Sequence, residues 1–302
     1  MTGLPARPSR RNRTETLRYC GRNFSIEEMD LIRSMIAAEP RRNRHQLSRV
    51  VCEELGWRRP DGLVKDMSCR VAMLRMHRDG LINLPPPRHA NANGRTRPKI
   101  TAASNPQAPL CVSVNKLGDL AFRIVHTKKD SLLWNELIER YHYLGYKPLP
   151  GAQLRYLVYS HSRLLAVLGF GAAAWSTAPR DDFIGWSSRQ REANLHLVVN
   201  NARFLIPPWI TVKNLASKTL ATVSKRLTAD WEQRYGYQPV LLETFVESAR
   251  FRGTCYRAAN WTHVGKTKGR GKLEKTQKQV TPIKDILLYP LDKRFRNILC
   301  SL

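Results

Sequence analysis

Apolar residues recur at helical spacing near the start of the chain, where Ile26, Met29, Ile32, Met35 and Ile36 follow one another up to Pro40. Ser25 and Glu28 stand in front of them as a capping box, so the pattern predicts a first helix from about residue 25. Asn43 is placed to cap a second helix, with Leu47, Val50, Val51 and Leu55 on one face and Gly56 at its end. Asp66 opens a third, which carries Met67, Arg70, Val71, Leu74 and Arg75 before Gly80. The next residues, Leu81-Ile82-Asn83-Leu84, read as a short strand that Pro85, Pro86 and Pro87 stop. Three helices and a strand in this order predict a winged helix-turn-helix-like head over residues 23–88. Its third helix would enter a groove of DNA and present Lys65, Arg70, Arg75 and Arg78.

The pattern then changes. Residues 89–111 are rich in Pro, Asn, Ala and Arg and read as a linker. A helix is expected over 131–143, with Leu132, Leu133, Leu137 and Ile138 on one face, and a longer one over 214–235. Between and after them lie apolar, β-branched runs at 154–159, 164–170, 195–199 and 240–246, which predict strands. The whole chain therefore reads as α+β: a helical head joined to a mixed α/β domain over 112–302, a sheet flanked by helices.

Charge narrows the function. The 302 residues hold 51 Lys and Arg against 24 Asp and Glu, a formal net charge of +27. Up to residue 100 there are 21 basic and 10 acidic residues, and 30 and 14 beyond it, so both halves are basic. Self-repulsion of that size is relieved by a polyanion partner, and DNA is the expected one. Residues 1–22, Arg- and Pro-rich, read as a disordered basic arm. No apolar run reaches the length of a membrane span. The six cysteines are scattered without a Cys-x-x-Cys pair, which argues against a zinc ribbon or a disulfide framework and for a reducing cytoplasm. No heptad pattern specifies a coiled coil, although winged-helix proteins often form homodimers.

The densest chemistry follows the run at 240–246. Glu243 sits inside an apolar strand, where a carboxylate is costly to bury unless paired. It either faces a cleft or forms an ion pair, with Arg203 or Arg250 as partner. Glu247 and Arg250 lie just beyond, where α/β proteins tend to place functional groups. Asp181 and Asp182, on the loop after Gly171, could join Glu243 as an oxygen ligand set for Mg²⁺, with Asp182 and Glu243 as the ligands and Glu243, Glu247, Asp182 and His142 as catalytic candidates. His142 stands between Tyr141 and Tyr143 as a general base or phosphate contact, beside rings able to stack on bases. Asn200 and Asn201 read either as an ordinary turn or as groups that orient a phosphate or a base edge. Finally Lys266, Lys268, Arg270 and Lys272 alternate with glycines in a cationic loop suited to backbone phosphates.

Taken in order, Tyr141-His142-Tyr143-Leu144-Gly145, Asn200-Asn201-Ala202-Arg203-Phe204, Leu242-Glu243-Thr244-Phe245-Val246, Gly253-Thr254-Cys255-Tyr256-Arg257-Ala258-Ala259-Asn260-Trp261 and Gly269-Arg270-Gly271 resemble the A protein of the Druantia anti-phage system. Similar proteins are also described as transposase-like in bacterial mobile elements. The resemblance covers roughly residues 20–295. It implies DNA as the target, a defence or mobile-element role, and other defence-system proteins as partners. The strand order also resembles the GCN5-related acyltransferases, in which a glycine-rich turn at a helix N-terminus holds a coenzyme pyrophosphate. Lys213-Asn214-Leu215-Ala216-Ser217 occupies that place without glycines, which argues against acetyl-CoA. Three functions remain: metal-assisted, nuclease- or transposase-like processing of DNA strands, which leads; a non-catalytic DNA-recognition subunit of a defence complex; and a transferase acting on a base or a protein.

Overall fold

A computed structural model of the chain describes residues 16–87, 97–269 and 281–302. These fall into two units, one on each side of residue 91.

The first unit opens with a hairpin of β1 (Leu17–Tyr19) and β2 (Arg22–Phe24), turned by Cys20 and Gly21 at φ +50° and +80°. The disorder expected up to residue 22 therefore does not extend over 17–22. Phe24 is buried, and the Arg22 guanidinium lies 4.7 Å from its ring and 5.7 Å from that of Trp57, so the hairpin is held by the core it covers. Three helices follow as the spacing predicts: α1 (Ile26–Ala38), α2 (Arg44–Glu54) and α3 (Asp66–Arg78). Ser25 with Glu28 and Asn43 with Gln46 form capping boxes, and Met29, Ile32, Leu47, Val51, Met73 and Met76 make the core.

Two features depart from the expected head. The connection between α2 and α3 runs from 55 to 65 and closes on an Arg58↔Val64 bridge, longer than the three- or four-residue turn typical of a helix-turn-helix. No strand forms at 81–84. Ile82 and Leu84 are buried as a strand pattern suggests, but side chains take the backbone groups a ladder would need. Arg33 donates to Leu81 O at 2.8 Å and Arg44 to Pro85 O at 2.7 Å, and the Leu84 N–H donates to His77 at 3.4 Å.

The second unit is built on a seven-stranded sheet of order β3-β4-β5-β6-β7-β9-β8. In chain order its elements are β3 (Ala121–Ile124), α4 (Lys128–Tyr141), β4 (Leu154–Ser160), β5 (Arg163–Ala172), α5 (Ala178–Ile184), α6 (Ser188–Asn194), β6 (Val198–Leu205), α7 (Leu215–Tyr235), β7 (Leu241–Glu247), α8 (Thr254–Arg257), β8 (Thr262–Lys266), β9 (Lys284–Pro290) and α9 (Phe295–Leu299). Every neighbouring pair is antiparallel except β6 and β7. The fold is thus mixed α+β with a large, mostly antiparallel sheet. Leu220, Val223, Leu227 and Trp231 of α7 pack with Tyr156, Val158 and Phe170 on one face, while Trp134, Leu137 and Ile138 of α4 pack with Leu157, Leu165 and Val167 on the other.

Residues 97–111, read as linker from composition, are tied to this second unit. The Thr101 N–H and hydroxyl both donate to the buried Glu136 carboxylate at 2.9 Å, and Leu110 bridges Ile210. Among the described residues no helix is long and apolar enough to cross a membrane.

Candidate functional site

β6 and β7 run parallel and pair only at Val198↔Leu241, Val199↔Leu242 and Asn200↔Glu243. Both strands continue, β6 to Leu205 and β7 to Glu247, so beyond Asn200 and Glu243 they diverge without a ladder. A bulge contributes to the parting: β5 pairs Gly169 with Arg203 but Phe170 with Asn201, leaving Ala202 as an extra residue on β6. The bulge needs Gly169, because a Cβ there would lie 2.8 Å from Trp134 Cζ2 and 3.3 Å from Arg203 Cβ.

Between the parted strands lies a cleft of about 480 Å³. Its floor is knitted by polar contacts. The Tyr256 hydroxyl donates to Asn201 Oδ1 at 2.7 Å, and Thr244 Oγ1 donates to Asn201 O at 3.1 Å. Burial pushes the Tyr256 hydroxyl well above its ordinary value and keeps it a donor. Asn201 Nδ2 reaches the Arg203 carbonyl at 3.2 Å across the bulge. Asn200-Asn201 is thus strand and bulge, not the ordinary turn that sequence alone leaves open.

The mouth is aromatic and cationic. Tyr143 and Phe251 meet with centroids 5.2 Å apart and remain 37% and 47% exposed. His142 stacks on Tyr143 at 4.9 Å. It ends α4, and its Nδ1 accepts the Leu144 N–H at 3.2 Å, which leaves the proton on Nε2 when the ring is neutral. Burial, with the nearby Arg203 charge, lowers the His142 pKa to about 4, so the ring is neutral at pH 7. Arg203 itself forms no ion pair among the described residues: Nη1 donates to Ala202 O at 2.7 Å, and Nε is buried without a partner. Arg250 pairs with Glu247 at 2.9 Å and lies 5.5 Å from the Tyr143 ring.

The carboxylates of the expected metal set are placed otherwise. Glu243 and Arg180 are both 0% exposed and pair at 2.8 Å, and Glu243 also accepts the Ala174 N–H at 2.7 Å. Its partner is Arg180, and neither Arg203 nor Arg250 approaches it. Burial pushes the Glu243 carboxyl up against the pull of Arg180 and the Ala174 amide. Asp181, not Asp182, continues the network: its Oδ1 accepts from Arg180 Nε and Nη2 at 3.0 and 2.8 Å and from Trp186 Nε1 at 3.0 Å. Burial raises the Asp181 carboxyl, but these donors outweigh it and hold the group below the ordinary range. Asp182 is exposed, so Asp182 and Glu243 do not converge as Mg²⁺ ligands. Among the described residues no three of His, Cys, Asp or Glu come together as a ligand set. Glu247 is buried against Arg250, within reach of the cleft mouth.

On α3, Arg75 and Arg78 are exposed and form no ion pair among the described residues, in line with exposed Met67 and Val71. Arg70 is tied down, 3.4 Å from Asp66. Lys266 and Lys268 are exposed, Lys266 lying 3.9 Å from Asp285, while Arg270 and Lys272 fall outside the described residues. At 213–217, where glycines are missing, α7 opens on an exposed Asn214 at φ +66° between exposed Lys213 and Lys218, so an asparagine takes the left-handed conformation that a glycine would favour.

No curated protein matches the chain in sequence. Among solved structures, the ribosomal-protein-S18-alanine N-acetyltransferase of Escherichia coli aligns over 58% of this chain and 95% of its own at 8% identity and TM-score 0.36. The aminoglycoside acetyltransferase AAC(6')-Ib, solved with coenzyme A and kanamycin, aligns over 57% and 95% at 12% identity and TM-score 0.37. The family model for Druantia protein DruA matches residues 75–285, which take in α4, the cleft and the Arg180–Glu243 pair, and the chain belongs to that anti-phage defence family.

Proposed function

We propose that this chain binds DNA in anti-phage defence, acting through recognition of the nucleic acid ahead of metal-assisted strand cleavage. The observation that carries this reading is a set of cations without carboxylate partners among the described residues: Arg75 and Arg78 on α3 and Arg203 beside the cleft, in a chain of net charge +27. A buried or aligned cation without a carboxylate is a phosphate site in waiting, because each guanidinium can fork onto phosphate oxygens and release condensed counterions. The cleavage reading needs carboxylates at a solvent-open position, and Glu243 is engaged by Arg180 and the Ala174 amide instead. α3 serves in this proposal as the groove-facing element, as in a winged-helix head.

Fluorescence anisotropy with the full chain and a labelled 20-base-pair duplex tests the proposal. Arg75→Ala with Arg78→Ala is expected to weaken binding at least tenfold with an unchanged melting temperature, at roughly 1 kcal/mol or more per lost charge-assisted contact. Equal affinity in the double variant moves the DNA contact off α3. A supplied divalent cation that yields cut strands, with the product lost in Glu243→Gln of wild-type melting temperature, overturns the ordering of recognition before cleavage.

A further inference from the structure

The cleft between β6 and β7 combines three features that one ligand class satisfies together. First, the ladder between the strands ends at Asn200 and Glu243, and side chains take the β6 carbonyls that follow, Asn201 O by the Thr244 hydroxyl, Ala202 O by Arg203 Nη1 and Arg203 O by Asn201 Nδ2, so the edge left without a ladder in the cleft is that of β7. Polar edges inside a cleft seek donors and acceptors in one plane, which the edge of a heteroaromatic ring supplies. Second, Tyr143 and Phe251 leave ring surface exposed at the mouth, with the Arg250 guanidinium 5.5 Å from the Tyr143 ring. Third, Arg203 is a buried-stem cation with no ion pair among the described residues, close enough to His142 for its charge to be felt there. The volume of about 480 Å³ lies in the range of pockets that enclose a small molecule and is too small for a duplex.

We propose that this cleft takes one nucleotide unit of a single DNA strand, with the base packed against the exposed ring surface that the Tyr143–Phe251 pair leaves at the mouth and presented to the open β7 edge, and its phosphate directed to the neighbouring Arg203 guanidinium. The inference rests on the DNA-binding reading above and adds the unit that is bound. An aromatic mouth gives affinity to any base face, and a backbone edge gives it preference for some base edges, so the site grips an unstacked nucleotide whatever α3 does with a duplex. The neutral His142 ring, protonated on Nε2, adds a donor that does not compete with Arg203 for the phosphate charge.

The test compares the full chain's affinity for a single-stranded twelve-mer with its affinity for an abasic strand of the same length and charge. The wild-type chain is expected to prefer the base-bearing strand by about tenfold or more, the scale of one base stacked on aromatic side chains. Tyr143→Ala with Phe251→Ala closes that gap, and Arg203→Gln weakens both strands. Equal affinity of the wild-type chain for the two strands overturns the nucleotide pocket while leaving DNA binding intact, and this comparison needs no variant to fold. A gap that survives in the Tyr143→Ala, Phe251→Ala chain places the base elsewhere and also overturns it. Binding of neither strand, nor of duplex, defeats the underlying DNA reading instead. Coenzyme A is the remaining arm: saturable coenzyme A binding that Phe251→Ala removes, with no preference for the base-bearing strand, assigns the cleft to a free nucleotide cofactor and overturns the proposal.

Discussion

Arg180 reaches Glu243 across 2.8 Å with both side chains fully withdrawn from solvent, and a second carboxylate, Asp181, holds the other side of the same guanidinium. One cation thus sits between two acids, anchored also by Ala174 O at 2.7 Å. Such a pair is a weak source of net stability and a large liability when half of it is removed.

Glu243→Gln therefore strands part of the charge on Arg180, and a loss of roughly 3–5 kcal/mol is expected, read as a lower melting temperature. Removing both partners, as Arg180→Met with Glu243→Leu, recovers most of that loss. A Glu243→Gln chain that melts like wild type would free the carboxylate for a chemical role.

The pH dependence of stability follows from His142. Its folded pKa of about 4 lies below the 6.5 of an ordinary histidine, so the unfolded chain takes up a proton the folded chain refuses. The stabilisation is complete above pH 6.5 and is lost as pH falls toward 4. His142→Asn flattens the stability profile in that window. An unchanged slope in urea titrations at pH 4.5, 5.5 and 7 contradicts the assignment. Asp181, held low, adds a loss in the same direction at still lower pH.

Gly169→Ala tests the bulge that parts the strands. The added methyl meets the Trp134 ring, whose Nε1 is fixed on Leu168 O at 3.0 Å and cannot readily move away. A loss of about 1–3 kcal/mol is expected from overpacking, together with weaker ligand binding at the cleft. Wild-type stability in thermal melts would show that the sheet absorbs the methyl.

What the sequence made legible was local. The Ser25 and Asn43 caps announce α1 and α2 because their signals lie within a few residues of the helix they start. β6 was expected too early, over 195–199, because Leu195 and Leu197 fill a 3-10 turn before the strand begins at Val198. The strand expected at 81–84 has the right burial but no partner strand among the described residues, and periodicity reports burial alone. Arg180 was harder to see: it follows Pro179 in a polar stretch that reads as exposed loop, and its burial is decided by a carboxylate 63 residues away. His142, Arg203 and Arg250 do gather around Tyr143 at the cleft mouth, whereas Asp182 does not. The preference for Asp182 over Asp181 had no local signal, since adjacent residues on a short helix differ only in which side meets Arg180.

The salt dependence of DNA binding tests the central claim most directly. Equilibrium affinity of the full chain for a duplex, measured between 50 and 300 mM NaCl, is expected to fall linearly on logarithmic axes with a slope of several units, about 0.9 per phosphate contacted, and Arg75→Ala with Arg78→Ala is expected to reduce that slope by about 2. Affinity that stays constant over this range, or the absence of binding at 50 mM, contradicts the account.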